Sequence, residues 1–110
     1  MIYKKIEIAV DGYKETADLY TYFLDSSIEM RPNEKRPVIL MCPGGGYEYC
    51  SIREGAPVAR AFARNGVEAF VLEYDCTEVP LGVKPLHTLS ASVAWVREHA
   101  AQLGIAADRI

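Results

Sequence analysis

The sequence predicts an α/β domain that opens with an antiparallel hairpin and continues as parallel strands joined by crossover helices. Three patterns carry that reading. Residues Ile2–Val10 and Thr16–Leu24 alternate between two sets of side chains, the period of half-buried strands. Val38–Cys42 and Val67–Tyr74 are apolar runs on either side of a helical stretch, the order that builds a parallel crossover. Leu86, Leu89, Val93, Val96, Ala100 and Leu103 recur at intervals of three and four, the period of an amphipathic helix.

In chain order, Ile6, Ile8 and Val10 share one face of the first strand and Lys5, Glu7 and Ala9 the other. Asp11-Gly12 then supplies the positive-φ positions of a tight hairpin turn. In the second strand Ala17, Leu19, Thr21 and Phe23 oppose Asp18, Tyr20, Tyr22 and Leu24. Arg31–Arg36 reads as a polar loop, and Pro37 opens the third strand, whose unbroken apolar run predicts burial on both faces. Gly44, Gly45, Gly46 and Tyr47 come soon after it, and Tyr47–Gly55 is a polar connector. Pro57 suits the first turn of a helix, where its missing N–H is no loss. Val58, Ala59, Phe62 and Ala63 form the apolar stripe of that helix, Arg60 and Arg64 its wet side, and Asn65-Gly66 its stop. Pro80, Gly82 and Pro85 predict a loop over Asp75–Pro85. The helix Leu86–Leu103 ends at Gly104, and Asp108-Arg109-Ile110 reads as the lead-in to another strand.

Composition narrows the function. With 110 residues, 50% apolar and 25% charged, the chain can bury one core. A net charge of −3 without a basic cluster argues against a nucleic-acid partner. Met1–Val10 lacks the apolar region of a signal peptide, and no run is long enough to span a bilayer, so no membrane partner is expected. Three cysteines, Cys42, Cys50 and Cys76, lack C-x-x-C spacing and point to a reduced, cytoplasmic setting, with Cys42 and Cys76 as small buried residues. His87 and His99 have no acidic partner at ligand spacing, so neither metal nor cofactor is expected. His87 falls in the first turn of the last helix, His99 on its surface, and Trp95 is a packing residue.

The glycines are the candidate site. A strand that delivers consecutive glycines at its carboxyl end presents bare backbone N–H groups, able to hold an anion or an oxyanion; a flexible turn is the plainer reading. A dinucleotide fingerprint fails, because Tyr49 stands where the third glycine of G-x-G-x-x-G would follow Gly44. A triphosphate loop fails as well, with Tyr47 in place of its lysine. What remains is the glycine loop beside the nucleophile of α/β-hydrolases. Cys42–Tyr47 (CPGGGY), followed by Ser51-Ile52-Arg53-Glu54, resembles the acetyl-esterase and xylan-esterase-like branch of the esterase/lipase hydrolases. There the histidine of HGGG is replaced. The order of elements, through FVLEY to LGIAADRI, resembles the amino-terminal part of that fold.

The resemblance implies a carboxylesterase acting on acetyl or similar short esters, above all of carbohydrates. It makes the N–H groups of Gly45 and Gly46 the oxyanion donors and Gly44 part of the turn. Tyr47 then lines the acyl or alcohol pocket, or is a plain packing aromatic. Arg53 and Glu54 brace the loop as an ion pair, cap the next helix, or form an exposed pair of little energetic weight. Such enzymes carry a nucleophilic serine in a G-x-S-x-G elbow, followed by an acid and a histidine. The 110 residues contain no such elbow; Ser90 and Ser92 lie in LSASV, and both histidines precede any elbow. Cys50 has no histidine placed to activate it. The chain is thus expected to be a single partial domain that ends before its nucleophile, inactive alone and prone to self-association as a homo-oligomer. The alternative is a non-catalytic fragment or an anion-binding module that uses the Gly44–Gly46 loop.

Overall fold

The computed structural model describes residues 2–13, 16–24, 35–46, 49–74, 76 and 83–110. Expectations for Tyr47, for the loop at 31–34 and for that at 77–82 lie outside the described residues. Strands β1 (Ile2–Ile8), β2 (Ala17–Phe23), β3 (Val38–Met41) and β4 (Glu68–Glu73) form one sheet in the order β1-β2-β4-β3. β1 and β2 are antiparallel with Ile8 opposite Ala17, and β2 and β4 antiparallel with Leu19 opposite Leu72. β3 and β4 are parallel, Leu40 opposite Phe70, with helix α1 (Ala56–Arg64) between them in the chain, as the sequence predicts. The hairpin is wider than expected. Asp11-Gly12 makes only a local turn, closed by the Tyr13 N–H on the Val10 carbonyl at 3.1 Å, inside the longer connection from Ile8 to Ala17.

The sheet buries both faces, and β4 is its centre. Every residue of β4 from Glu68 to Leu72 is buried, because β2 and β3 flank it and helices cover both sides. Phe70 and Leu72 join Leu19, Phe23 and Val38 in one core, capped by Val96, Ala100 and Ile105. Ala69 and Val71 join Tyr22 and Ala59 in the other. The expectation of a third strand buried on both faces is corrected: β3 lies at the edge of the described sheet, and Ile39, Leu40 and Met41 are only half-buried. The start of its outer side is met by the end of the described chain. Val38 N–H donates to the Arg109 carbonyl at 2.9 Å, and Ala106 N–H donates to Arg36 at 3.0 Å.

The helices follow the sequence with two shifts. α1 ends in a full Schellman motif, with Gly66 N–H on Ala63 O and Val67 N–H on Phe62 O, and Gly66 takes the φ of +83° that this closure needs. Its buried stripe is narrower than the sequence suggests: Ala59 and Ala63 are buried, whereas Val58 and Phe62 stay partly exposed. Alanine lets the helix settle close to the Ala69 and Val71 face of the sheet.

The last helix starts earlier than expected, at Lys84, with Pro85 in its first turn rather than in a loop. It divides into α2 (Lys84–Glu98) and α3 (Ala100–Leu103) at His99. His99 is half-buried, not surface-exposed. Its ring stacks on Trp95 at 4.0 Å, and both its backbone N–H and its Nδ1 bond the Trp95 carbonyl. The buried face of α2 is Lys84, Thr88, Ser92 and Val96, about one position round from the leucine stripe, and Leu86 is 60% exposed. Small hydroxyl side chains can face the sheet because the helix itself satisfies them. Thr88 Oγ1 donates to Lys84 O at 2.9 Å and Ser92 Oγ to Thr88 O at 2.8 Å.

A buried ion pair ties the start of β3 to the start of β4. Arg36 Nη1 lies 3.2 Å from Glu68 Oε1, and both residues are less than a tenth exposed. The Leu24 N–H also donates to that oxygen at 3.3 Å. Even so, burial pushes the Glu68 carboxyl above the ordinary glutamate value, since desolvation outweighs the Leu24 N–H and the Arg36 charge.

Candidate active site

Beyond β3 the chain passes exposed Cys42 and buried Pro43 into the three glycines. Exposure of Cys42 corrects the expectation of a buried residue; the side chain lies past the last strand pairing, at Met41. Two hydrogen bonds hold the loop. The Tyr74 hydroxyl donates to the Pro43 carbonyl at 2.7 Å, and Ser51 N–H donates to Gly44 O at 2.8 Å. The loop is thereby pinned to the end of β4 and to the connector that leads into the 3-10 turn Ile52–Glu54.

Glycine is required here for space. A Cβ on Gly45 would run into the Tyr49 backbone carbonyl, so no larger residue fits without moving the loop. Gly46 faces open space but holds φ at +67°. Neither N–H donates to a described backbone carbonyl. A Cβ on Gly44 would meet the Glu54 carboxylate at 3.3 Å, so Glu54 stands against the loop.

A cavity of about 460 Å³ opens at this end of the sheet. Gly44, Gly45 and Gly46 line one part of it, and Pro85, Leu86 and Leu89 of α2 line another. Exposed Leu86 and half-buried Leu89 of α2 therefore belong to a concave apolar surface facing polar backbone, the mixture of a small-molecule site.

The other residues singled out in the sequence fall as follows. Arg53 and Glu54 sit exposed in a 3-10 turn, Ile52–Glu54, and form no ion pair with each other. The N-cap of α1 is Gly55, without a side-chain cap, so Glu54 does not cap that helix. Cys50 is pushed up to about 11 by burial and by the neighbouring Cys76 thiol, which keeps it protonated and a poor nucleophile. Among the described residues no cluster of His, Cys, Asp or Glu is set to hold a metal ion, and no helix is long and apolar enough to cross a membrane. Sequence reasoning missed Tyr74 and Tyr49; their partners at Pro43 and Gly45 are set by the fold, and no local pattern marks them.

Solved structures share this fold. An alpha/beta hydrolase enzyme from a Medee basin deep-sea metagenome library superposes with a TM-score of 0.83 at 33% identity, over 98% of this chain and 44% of its own. The chain belongs, by fold, to the α/β-hydrolases. This α/β-hydrolase chain also matches the acetyl ester-xyloside bifunctional hydrolase from Caldicellulosiruptor lactoaceticus, with a TM-score of 0.74 at 31% identity over 89% of this chain and 34% of that one. In sequence it is 42% identical over 74 residues to endo-1,4-beta-xylanase B of Butyrivibrio fibrisolvens, covering 64% of this chain and 12% of the relative. The chain thus spans less than half the length of each of these proteins. No protein-family model matches the sequence. The described four-stranded sheet with its helices corresponds to the amino-terminal portion of the α/β-hydrolase fold.

Proposed function

We propose that the chain carries the oxyanion-holding part of a serine carboxylesterase for acetyl or similar short esters, with carbohydrate esters as the substrate class. The glycine loop at the carboxyl end of β3, lining the cavity, carries this reading. When a nucleophile attacks an ester carbonyl, negative charge grows on its oxygen. N–H donors already in place at Gly45 and Gly46 lower the transition state more than the ground state. Loss of one such donor costs about 3–4 kcal/mol of barrier. The Tyr74 and Ser51 hydrogen bonds hold the donors without reorganisation during the reaction. Pro85, Leu86 and Leu89 supply an apolar surface for the acyl or alcohol group. The carbohydrate part is supported by similarity to an acetyl ester-xyloside hydrolase and to a xylanase.

The nucleophile is assigned to no residue, since the 110 residues contain no G-x-S-x-G. The test compares residues 1–110 with the longest reading frame that contains them, on 4-nitrophenyl acetate and acetylated xylan. The 110 residues alone should give no turnover above buffer. A reading frame that supplies a G-x-S-x-G elbow should be active, and Gly45→Val in it should lower kcat far more than it raises KM. Saturable hydrolysis by residues 1–110, or a Gly45→Val effect confined to KM, would refute the assignment.

A further inference from the structure

Cys50 follows the glycine loop, and Cys76 lies just past β4. Their side chains converge on one atom, the Tyr74 carbonyl oxygen, with Cys50 Sγ at 3.7 Å and Cys76 Sγ at 3.6 Å. Both are half-buried, and Cys50 lines a small cavity with Ser51, Pro43 and Gly55. Cys42 is exposed and lines the other cavity, beside the glycines. The odd number of cysteines therefore resolves into one pair and one outlier.

We propose that Cys50 and Cys76 form a disulfide that ties the return arm of the glycine loop to the end of β4. Its position gives it a consequence. Tyr74 already holds the loop through its hydroxyl on Pro43, and its carbonyl is where the two thiols meet. The cross-link makes that hydrogen-bonded clasp covalent. The oxidant is a small-molecule disulfide such as oxidised glutathione. One cysteine thiolate attacks a glutathione sulfur and expels one glutathione thiolate, leaving a mixed disulfide. The second cysteine thiolate then attacks the protein sulfur of that mixed disulfide and expels the other glutathione. Two thiols become one S–S bond, two electrons pass to the reagent, and the two protons leave with two reduced glutathione molecules. Burial and the neighbouring Cys76 thiol push the Cys50 thiol up to about 11, so the Cys50 thiolate that one of the two steps needs is scarce. The reaction is accordingly slow, suited to a lasting cross-link rather than a rapid sensor. Nothing in this step depends on ester hydrolysis.

The test is an oxidised/reduced glutathione series on the whole chain carrying Cys42→Ser, quenched by alkylation and mapped after trypsin digestion. Trypsin cuts at Arg53, Arg60 and Arg64, so the two cysteines fall on separate peptides unless they are joined. The expected product is an intramolecular link between those peptides, absent from Cys50→Ser and Cys76→Ser variants and not formed in the same yield in urea. The linked protein should melt about 10 °C above its reduced form, because a closed loop of this length restricts the unfolded chain. Glutathione adducts without the link, an equal yield in urea, or a linked form that melts no higher than the reduced one would each overturn the proposal.

Discussion

Replacing Arg36 by alanine should do more damage than any exposed ion pair would suggest. Arg36 and Glu68 are each less than a tenth exposed and meet at 3.2 Å, so removing the guanidinium strands a buried carboxylate with the Leu24 N–H. Breaking a buried pair from one side costs about 3–5 kcal/mol. Domains of this size are stable by about 5–15 kcal/mol in total. The melting temperature should therefore fall by at least ~12 °C, at about 4 °C per kcal/mol for a small domain. Replacing both partners, Arg36→Met with Glu68→Leu, removes both desolvated charges and should restore most of the loss. The assay is thermal and urea unfolding of wild type, both single variants and the double variant, followed by circular dichroism. A loss below ~1 kcal/mol for Arg36→Ala, or a double variant that loses the sum of the two singles, would show the pair is not the coupled unit described.

The same carboxyl sets a pH dependence. Because burial raises the folded pKa of Glu68 above 4.5, the folded chain keeps its proton to higher pH than the unfolded chain does. Stability should then fall as pH rises from the ordinary glutamate value through the raised one and stay lower above it, and Glu68→Gln should remove that slope in melts taken across the range; a wild-type contribution that rises with pH would contradict it. In the glycine loop, Gly45→Ala meets the Tyr49 carbonyl and should cost about 1–3 kcal/mol. Gly46→Ala, with open space but φ at +67°, should cost about 1–2 kcal/mol, and the reverse ranking in urea melts would show the loop is not shaped as described.

Local chemistry was legible in the sequence. The alternation in β1 and β2, the Asn65-Gly66 stop and the glycine loop after an apolar strand all depend on neighbours within a few positions. Long-range placement was not. Arg36 reads as loop charge and Glu68 as a strand-end polar residue, yet the parallel pairing of β3 and β4 brings them together. The apolar run of the third strand predicts burial on both faces, but sheet order is set by which strands find partners, and β4 takes the centre. The face of α2 was misjudged because Thr88 and Ser92 read as polar, although bonding within the helix makes them cheap to bury. In the candidate site, the glycines showed themselves, whereas Tyr74 and Glu54 reach the loop only through the fold.

The central position of β4 also shapes how the chain assembles. The β1–β2 hairpin and the β3-α1-β4 unit each close over short or moderate stretches of chain. Among the described residues their strands join where β2 meets β4, and there Leu19 faces Leu72 across about fifty positions of sequence. Closing that span costs chain entropy before the shared core repays it, so the seam is the natural late step of folding. Pulse-labelled hydrogen exchange should catch the order, with amides in the β1–β2 and β3–β4 ladders protected before those bonded between β2 and β4. Simultaneous protection of all three would mean that the two halves condense together. On this account the glycine loop, set at the end of β3, takes shape before the sheet that surrounds it is complete.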